Sequence, residues 1–148
     1  MKTKNQNTIE KLNKLLADYE IYYQNLRGLH WNIKGPLFFE LHDKFEEYYD
    51  EAFHAIDEVA ERILTLEGQP LHTFGDYLKT ATLKEFATIS NGKEAVEAVL
   101  QNNEFLLTSF NEILKVAAEN GDEGTVGMMS EWIGGTEKRI WMLKAYLA

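Results

Sequence analysis

Four side chains that can ligate a metal fall on one stripe of a single predicted helix. His42, Glu46, Asp57 and Glu61 occupy sequence offsets of 0, 4, 15 and 19. At about 100° per residue these offsets point in directions of roughly 0°, 40°, 60° and 100°. Each i,i+4 pair can reach a common ion. The two pairs cannot surround the same ion, because about 16 Å of helix axis separates Glu46 from Asp57.

A second copy of the helix removes this difficulty. When two copies pack about a two-fold axis near Ala52, His42 and Glu46 of one chain face Asp57 and Glu61 of the other. A two-fold contact is self-complementary, so it creates two identical sites per dimer. The spacing therefore predicts a metal centre that two subunits share.

The segment Gly28–Glu46, GLHWNIKGPLFFELHDKFE, adds a fifth candidate ligand. His30 lies six residues before Pro36 and His42 lies six residues after it, so an antiparallel hairpin brings the two imidazoles level. Nitrogen and oxygen donors without sulfur suit iron, manganese or zinc, and several carboxylates able to bridge favour one or two iron ions. Any one of these residues alone would more commonly be packed or solvated; five that obey one geometry predict a site.

Other residues that could bind or react near a metal have competing interpretations. Trp31 either fills the hairpin or an interface, or offers an oxidisable ring close to the metal. Glu51 and His54 form a Glu-x-x-His motif, but a di-iron centre inside one ferritin-like bundle needs two such motifs and two further glutamates. No histidine lies in the third or fourth long helix. We therefore expect His54 to be a peripheral polar residue or an auxiliary metal contact, and His72 to be a loop residue.

The elements that must position these residues are helices, since apolar residues recur at three- and four-residue steps. Gly35-Pro36 ends the first helix, and Asn91 with Glu94 forms a capping box for the third long one. The predicted pattern is four long helices in which only the connection between the second and third is long. This pattern predicts an all-α, ferritin-like four-helix bundle with a crossover. We expect residues 1–148 to form one domain. The predicted helices are Thr8–Lys34, Phe38–Glu67, a short helix at Phe74–Thr80 in the crossover, Asn91 to Asn120-Gly121, and Asp122–Thr125 to Leu147.

Composition narrows the class of protein. The 148 residues contain no cysteine and carry a net charge of −9, which disfavours binding to nucleic acid or anionic lipid by charge attraction and is compatible with holding cations. No signal-peptide pattern and no membrane-spanning apolar run occur, so a cytoplasmic protein is expected. Gly134-Gly135 should cost about 1 kcal/mol each relative to alanine inside a helix, which indicates either a bend or the close approach of another backbone.

Nearly the whole chain resembles the Dps proteins, the ferritin-like mini-ferritins. The segments that carry the resemblance are LHWNIKGPLFFELHDKFEEYYDE, IDEVAERILTLEGQP, GDEGT and EKRIWMLKAYL. The resemblance implies a hollow dodecamer that oxidises Fe(II), preferably with hydrogen peroxide, and stores ferric mineral. It places the ferroxidase ligands at a two-fold interface, with His30, His42 and Glu46 from one chain and Asp57 and Glu61 from its partner.

Two positions depart from the family pattern. Glu46 stands where many members have Asp, and the extra methylene keeps the same donor type. Gly127 stands where an acidic residue that lines the family's three-fold iron-entry pores often occurs. The remaining pore candidates are Asp122, Glu123 and Glu131, each of which could equally be a helix-start or surface charge.

Two other functions, DNA compaction and metal buffering, are alternatives to iron oxidation. Some relatives compact DNA through lysine-rich tails, but the termini here offer only Lys2, Lys4 and Lys144, so we expect weak or absent DNA binding. A bundle that buffers zinc or manganese without redox turnover would use the same ligands as the ferroxidase. Consumption of peroxide by the Fe(II)-loaded protein separates that function from iron oxidation.

Overall fold

The computed structural model describes residues 5–148, and over that range the regular elements are all helices. They confirm the predicted all-α, ferritin-like bundle of four long helices, with a short helix in the crossover between the second and third. None of the helices in residues 5–148 is long and apolar enough to cross a membrane. The helices are α1 (Gln6–Asn32), α2 (Phe38–Thr65), α3 (Phe74–Thr80), α4 (Gly92–Glu119) and α5 (Glu123–Leu147).

The turn between α1 and α2 depends on Gly35. Its φ of +113° is accessible to glycine and strained for residues that carry a Cβ, and it allows the chain to reverse immediately before Pro36. α1 ends at Asn32 rather than at the predicted Lys34, whose N–H instead donates to the Ser90 carbonyl at 2.9 Å. That hydrogen bond fixes the crossover against the hairpin.

The end of α2 is shaped by its packing on α1. α2 stops at Thr65, two residues before the predicted end, because Glu67 adopts a left-handed φ of +68°. The Gly68 N–H then bonds to the Ile63 carbonyl at 2.9 Å. A Cβ at Gly68 would lie 2.8 Å from the Ile9 side chain, so the close approach requires glycine.

The core is organised around α1, which packs against α2, α3 and α4, while α4 packs against α5. Leucines recur along α1 at helical spacing and are almost completely buried, which explains why this helix lies at the centre of the bundle. α2 and α5 do not pack closely on each other, so a groove remains between them. The leucines of α1 that form the core are Leu12, Leu15, Leu16, Leu26 and Leu29.

Two buried polar side chains of α1 hold the crossover. The Asp18 carboxylate accepts hydrogen bonds from the backbone N–H groups of Thr82 and Leu83 at 2.7 and 2.9 Å. The Asn25 amide oxygen accepts from the Phe86 N–H at 2.9 Å. These side chains satisfy backbone donors that a loop next to the core would otherwise leave without partners.

One polar network joins all four long helices. Asn103 of α4 donates to the Tyr22 hydroxyl of α1 at 3.0 Å and accepts from Arg139 of α5 at 3.2 Å. The Arg139 guanidinium also donates to Glu51 of α2 and lies 5.1 Å from the ring centroid of Tyr48. The network crosses the bundle at the level of the groove.

The Gly134-Gly135 pair lies inside an uninterrupted α5. Within residues 5–148, no heavy atom of a neighbouring element lies within 4 Å of a Cβ built at either glycine. Close packing against another part of the described chain therefore does not explain the pair.

We expect Gly134→Ala to raise the free energy of unfolding by about 1 kcal/mol, because alanine restricts the unfolded chain and favours a helix interior. Urea denaturation at a fixed protein concentration measures the effect. Gly121→Ala is the matched control and should lower stability, since Gly121 has a φ of +70°. A loss of stability in Gly134→Ala would show that another copy packs its backbone there.

Candidate metal centre

His30 and His42 are hydrogen-bonded to each other's backbone across the hairpin, and we call this pair the histidine clamp. The His30 Nδ1 lies 2.7 Å from the His42 carbonyl oxygen, and the His42 Nδ1 lies 2.8 Å from the His30 carbonyl oxygen. The two rings stack with centroids 3.7 Å apart and an angle of 14° between their planes. The sequence prediction that the imidazoles lie level is therefore met within one chain.

The reciprocal hydrogen bonds select one tautomer of each imidazole. A carbonyl oxygen only accepts, so each Nδ1 must carry the proton and donate it. In the neutral ring the lone pair is then on Nε2, which is the atom left free to ligate a metal. Hydrogen bonding of one ring nitrogen while the other binds metal is a common way to orient metal-ligating histidines.

Glu46 and Tyr49 lie beside His30. A Glu46 carboxylate oxygen is 3.6 Å from the His30 Nε2, and the Glu46 side chain is 53% exposed, so it is accessible from outside the chain. The Tyr49 ring meets the His30 ring edge-on at a centroid distance of 5.3 Å. Burial and the neighbouring carboxylates of Glu46 and Asp50 raise the pKa of Tyr49, which keeps its phenol neutral beside the ligands.

Asp57 and Glu61 lie further along α2 and are exposed. Residues 5–148 of one chain contain no group of three or more His, Cys, Asp or Glu side chains placed to hold a metal ion. One chain thus places His30 beside His42 and within 3.6 Å of Glu46, which falls short of a three-ligand group, and leaves Asp57 and Glu61 apart from them. A complete centre with all five residues requires a second chain.

Large exposed apolar side chains lie on the same face of α2 as the two exposed carboxylates. Phe53 and Leu64 lie on the same stripe of α2 as Asp57 and Glu61, and they are 57% and 55% exposed. Trp31, next to His30, is 58% exposed, with the Arg27 guanidinium 4.9 Å from its ring centroid. Apolar groups that flank acidic groups on one face are typical of a surface that another protein covers.

The three candidates for the iron-entry pore differ in whether their carboxylates are free to contact an ion. Both oxygens of the Asp122 carboxylate accept hydrogen bonds, from the Arg62 guanidinium at 2.6 Å and from the N–H and hydroxyl of Thr125 at 3.1 and 2.6 Å. Although burial opposes it, these partners lower the pKa of Asp122. Asp122 thus caps α5 and ties it to the end of α2, whereas Glu123 and Glu131 are exposed.

The remaining histidines lie away from the clamp. His54 is exposed on α2, edge-on to the Phe53 ring, and His72 is exposed in the crossover.

Sequence reasoning missed Tyr49 and the polar network of Arg139. Tyr49 could have been found from its position seven residues after His42, on the ligand side of α2, and Arg139 from its spacing with the buried Thr136 and Leu143.

Comparisons with known proteins agree with the fold. Residues 9–148 match the family model of the ferritin-like domain. A protein of Porphyromonas gingivalis named DNA protection during starvation protein is 44% identical over 138 residues, which cover 93% of this chain and 87% of the relative. The crystal structure of a Dps protein from Vibrio cholerae O1, described as a ferritin-like diiron-carboxylate protein, superposes with a TM-score of 0.96 at 46% identity, over 98% of this chain and 91% of that chain. A Dps crystal structure from Bacillus brevis also gives a TM-score of 0.96, at 38% identity over the full length of both chains.

The clamp predicts the protonation of both imidazoles in the metal-free protein. We expect His30 and His42 to carry a proton on Nδ1, because each Nδ1 must donate to a carbonyl. Solid-state NMR of nitrogen-15-labelled histidine in the assembled protein distinguishes the tautomers. The exposed His54 serves as the control. An Nδ1 without a proton on either His30 or His42 would contradict the clamp.

Proposed function

This chain belongs to the Dps family of ferritin-like proteins, and we propose from that premise that it oxidises Fe(II) and stores the ferric product. The oxidation centre that we propose is shared by two subunits. His30, His42 and Glu46 of one subunit and Asp57 and Glu61 of the other hold up to two iron ions. The whole chain, residues 1–148, acts as one ferritin-like domain of a hollow cytoplasmic homo-oligomer, expected to be a dodecamer.

The observation that carries this proposal is the histidine clamp. It orients two imidazoles from different helices and leaves a lone pair on each Nε2, with the exposed Glu46 carboxylate 3.6 Å from one of them. A set of nitrogen and carboxylate donors without sulfur suits iron. The set is incomplete in one chain, and the face that carries Asp57 and Glu61 has the apolar surroundings of an interface.

The chemistry follows from the donors. Carboxylates stabilise Fe(III) more than Fe(II), so iron bound by them is easier to oxidise. Two Fe(II) ions held together each give one electron to hydrogen peroxide, the O–O bond breaks, and both oxygens leave as water after taking up two protons. Proximity of the two ions lets both electrons arrive together and avoids the release of a hydroxyl radical. Oxygen is the alternative oxidant.

A complementation experiment tests whether the centre is shared. The variant with both His30→Ala and His42→Ala should oxidise Fe(II) more than about tenfold more slowly while assembling normally, because it loses two ligands. The variant with both Asp57→Asn and Glu61→Gln should show the same loss. Co-assembly of the two inactive variants should restore about a quarter of the wild-type sites, since half of the dimers are mixed and one of their two sites is intact.

Ferric absorbance and peroxide consumption measure this activity, with His54→Ala as the control that should stay near the wild-type rate. Mixed assemblies without activity would contradict a shared centre. Iron binding without peroxide consumption in the wild-type protein would instead favour metal buffering.

DNA compaction is the second candidate function, and the names of the relatives favour it. Lys2 and Lys4 lie outside the described residues, and the net charge of −9 opposes contact with phosphates. Non-specific binding to DNA depends on phosphate contacts. We therefore expect that metal-free protein at low salt will not retard plasmid in a gel-shift assay. Retention of plasmid under these conditions would overturn that expectation.

A further inference from the structure

The groove between α2 and α5 contains a cavity that is separate from the proposed iron centre. Its volume is about 390 Å³, which lies within the range of small-molecule sites. α2 and α5 form its walls, and Tyr19 and Tyr22 of α1 form its floor. None of the five proposed iron ligands lines it.

Two buried hydroxyl groups open onto the groove without a hydrogen-bond partner. Tyr19 is only 8% exposed and Thr136 only 5%, and both line the groove. Neither hydroxyl is hydrogen-bonded to any group in residues 5–148, and neither is completely sealed from the cavity. Buried polar groups are normally paired, so these two hydroxyls point to a polar ligand.

The charges around the groove indicate whether the ligand is positively or negatively charged. Glu58 of α2 and Glu131 of α5 line opposite walls and are exposed. The positive charge of Arg139 is already engaged by Glu51 and by the face of Tyr48. The uncompensated charge of the lining is therefore negative, and a cation is favoured over an anion.

The aromatic lining favours an organic cation over a metal ion. The rings of Tyr48 and Trp132 contribute to the walls, and aromatic faces attract ammonium groups and pack against methylenes. Nowhere in residues 5–148 do three metal-binding side chains come together as a metal would require. Burial raises the pKa of Tyr19 far above its usual range, so its phenol stays neutral and can accept a hydrogen bond from an N–H donor.

We propose that this groove binds an alkyl diamine in its doubly protonated form. The ammonium groups donate to the hydroxyls of Tyr19 and Thr136 and pair with Glu58 and Glu131, while the methylene chain packs against the aromatic walls. This site shares no residue with the five proposed iron ligands, although Glu131 is also one of the pore candidates.

Calorimetric titration of the assembled, metal-free protein with 1,4-diaminobutane tests the proposal. Tyr19→Phe and Thr136→Val, which keep the shape of each side chain, should each weaken binding about tenfold, because each removes a hydrogen bond to a charged group. The variant with both Glu58→Gln and Glu131→Gln should weaken it further. Glu137→Gln removes the same type of charge from an exposed position of α5 outside the groove and should bind as the wild type does.

Two further probes complete the design. The uncharged 1,4-butanediol should bind at least about tenfold more weakly than the diamine, since it lacks the ammonium charges. Mn²⁺ should not compete with the diamine. The proposal is overturned if Tyr19→Phe and Thr136→Val bind with wild-type affinity, if Glu137→Gln weakens binding as much as the groove variants, or if Mn²⁺ displaces the diamine. Circular dichroism and size-exclusion chromatography verify that each variant is folded and assembled.

Discussion

Two hydrogen bonds between His30 and His42 govern the geometry of the proposed iron centre. Each imidazole donates to the backbone of the other helix, so ring orientation and hairpin register depend on the same contacts. Gly35 makes this possible, because its positive φ turns the chain tightly enough to bring the two helices level. The proposed ligand atoms are thus oriented by the fold itself, and such preorganisation would lower the entropic cost of binding a metal.

The glutamate of the Glu-x-x-His motif on α2 is paired with an arginine of α5. Ferritin-like di-iron proteins place their metal between the helices of one bundle, with ligands that include Glu-x-x-His motifs. Here Arg139 reaches into that interior and binds Glu51, the glutamate of the only such motif on α2. The carboxylate that an intra-bundle metal would need is thus paired with a guanidinium. The proposed metal ligands lie elsewhere, with His30 and His42 at the hairpin and Asp57 and Glu61 exposed on α2.

Much of the fold could be predicted because it depends on local signals. Gly35-Pro36 stopped α1 as expected, Asn91 caps α4 by accepting from the Glu94 N–H, and the short helix at Phe74–Thr80 has the predicted bounds. The predicted ends of α1 and α2 were each two residues too long. For α1 the reason is the hydrogen bond from Lys34 to the distant Ser90, and for α2 it is the positive φ of Glu67 next to Gly68, which packs on the distant Ile9.

By itself the sequence predicted the metal ligands and predicted that one chain cannot assemble all of them, because helical rise and rotation follow from residue number alone. Only the tertiary structure decided which polar groups are already paired within the chain and which can contact a ligand. It pairs Asp122 with Arg62, pairs Glu51 with Arg139, and leaves the hydroxyls of Tyr19 and Thr136 open to a groove. These partners come from helices far apart in the chain, so their pairing depends on how the helices pack.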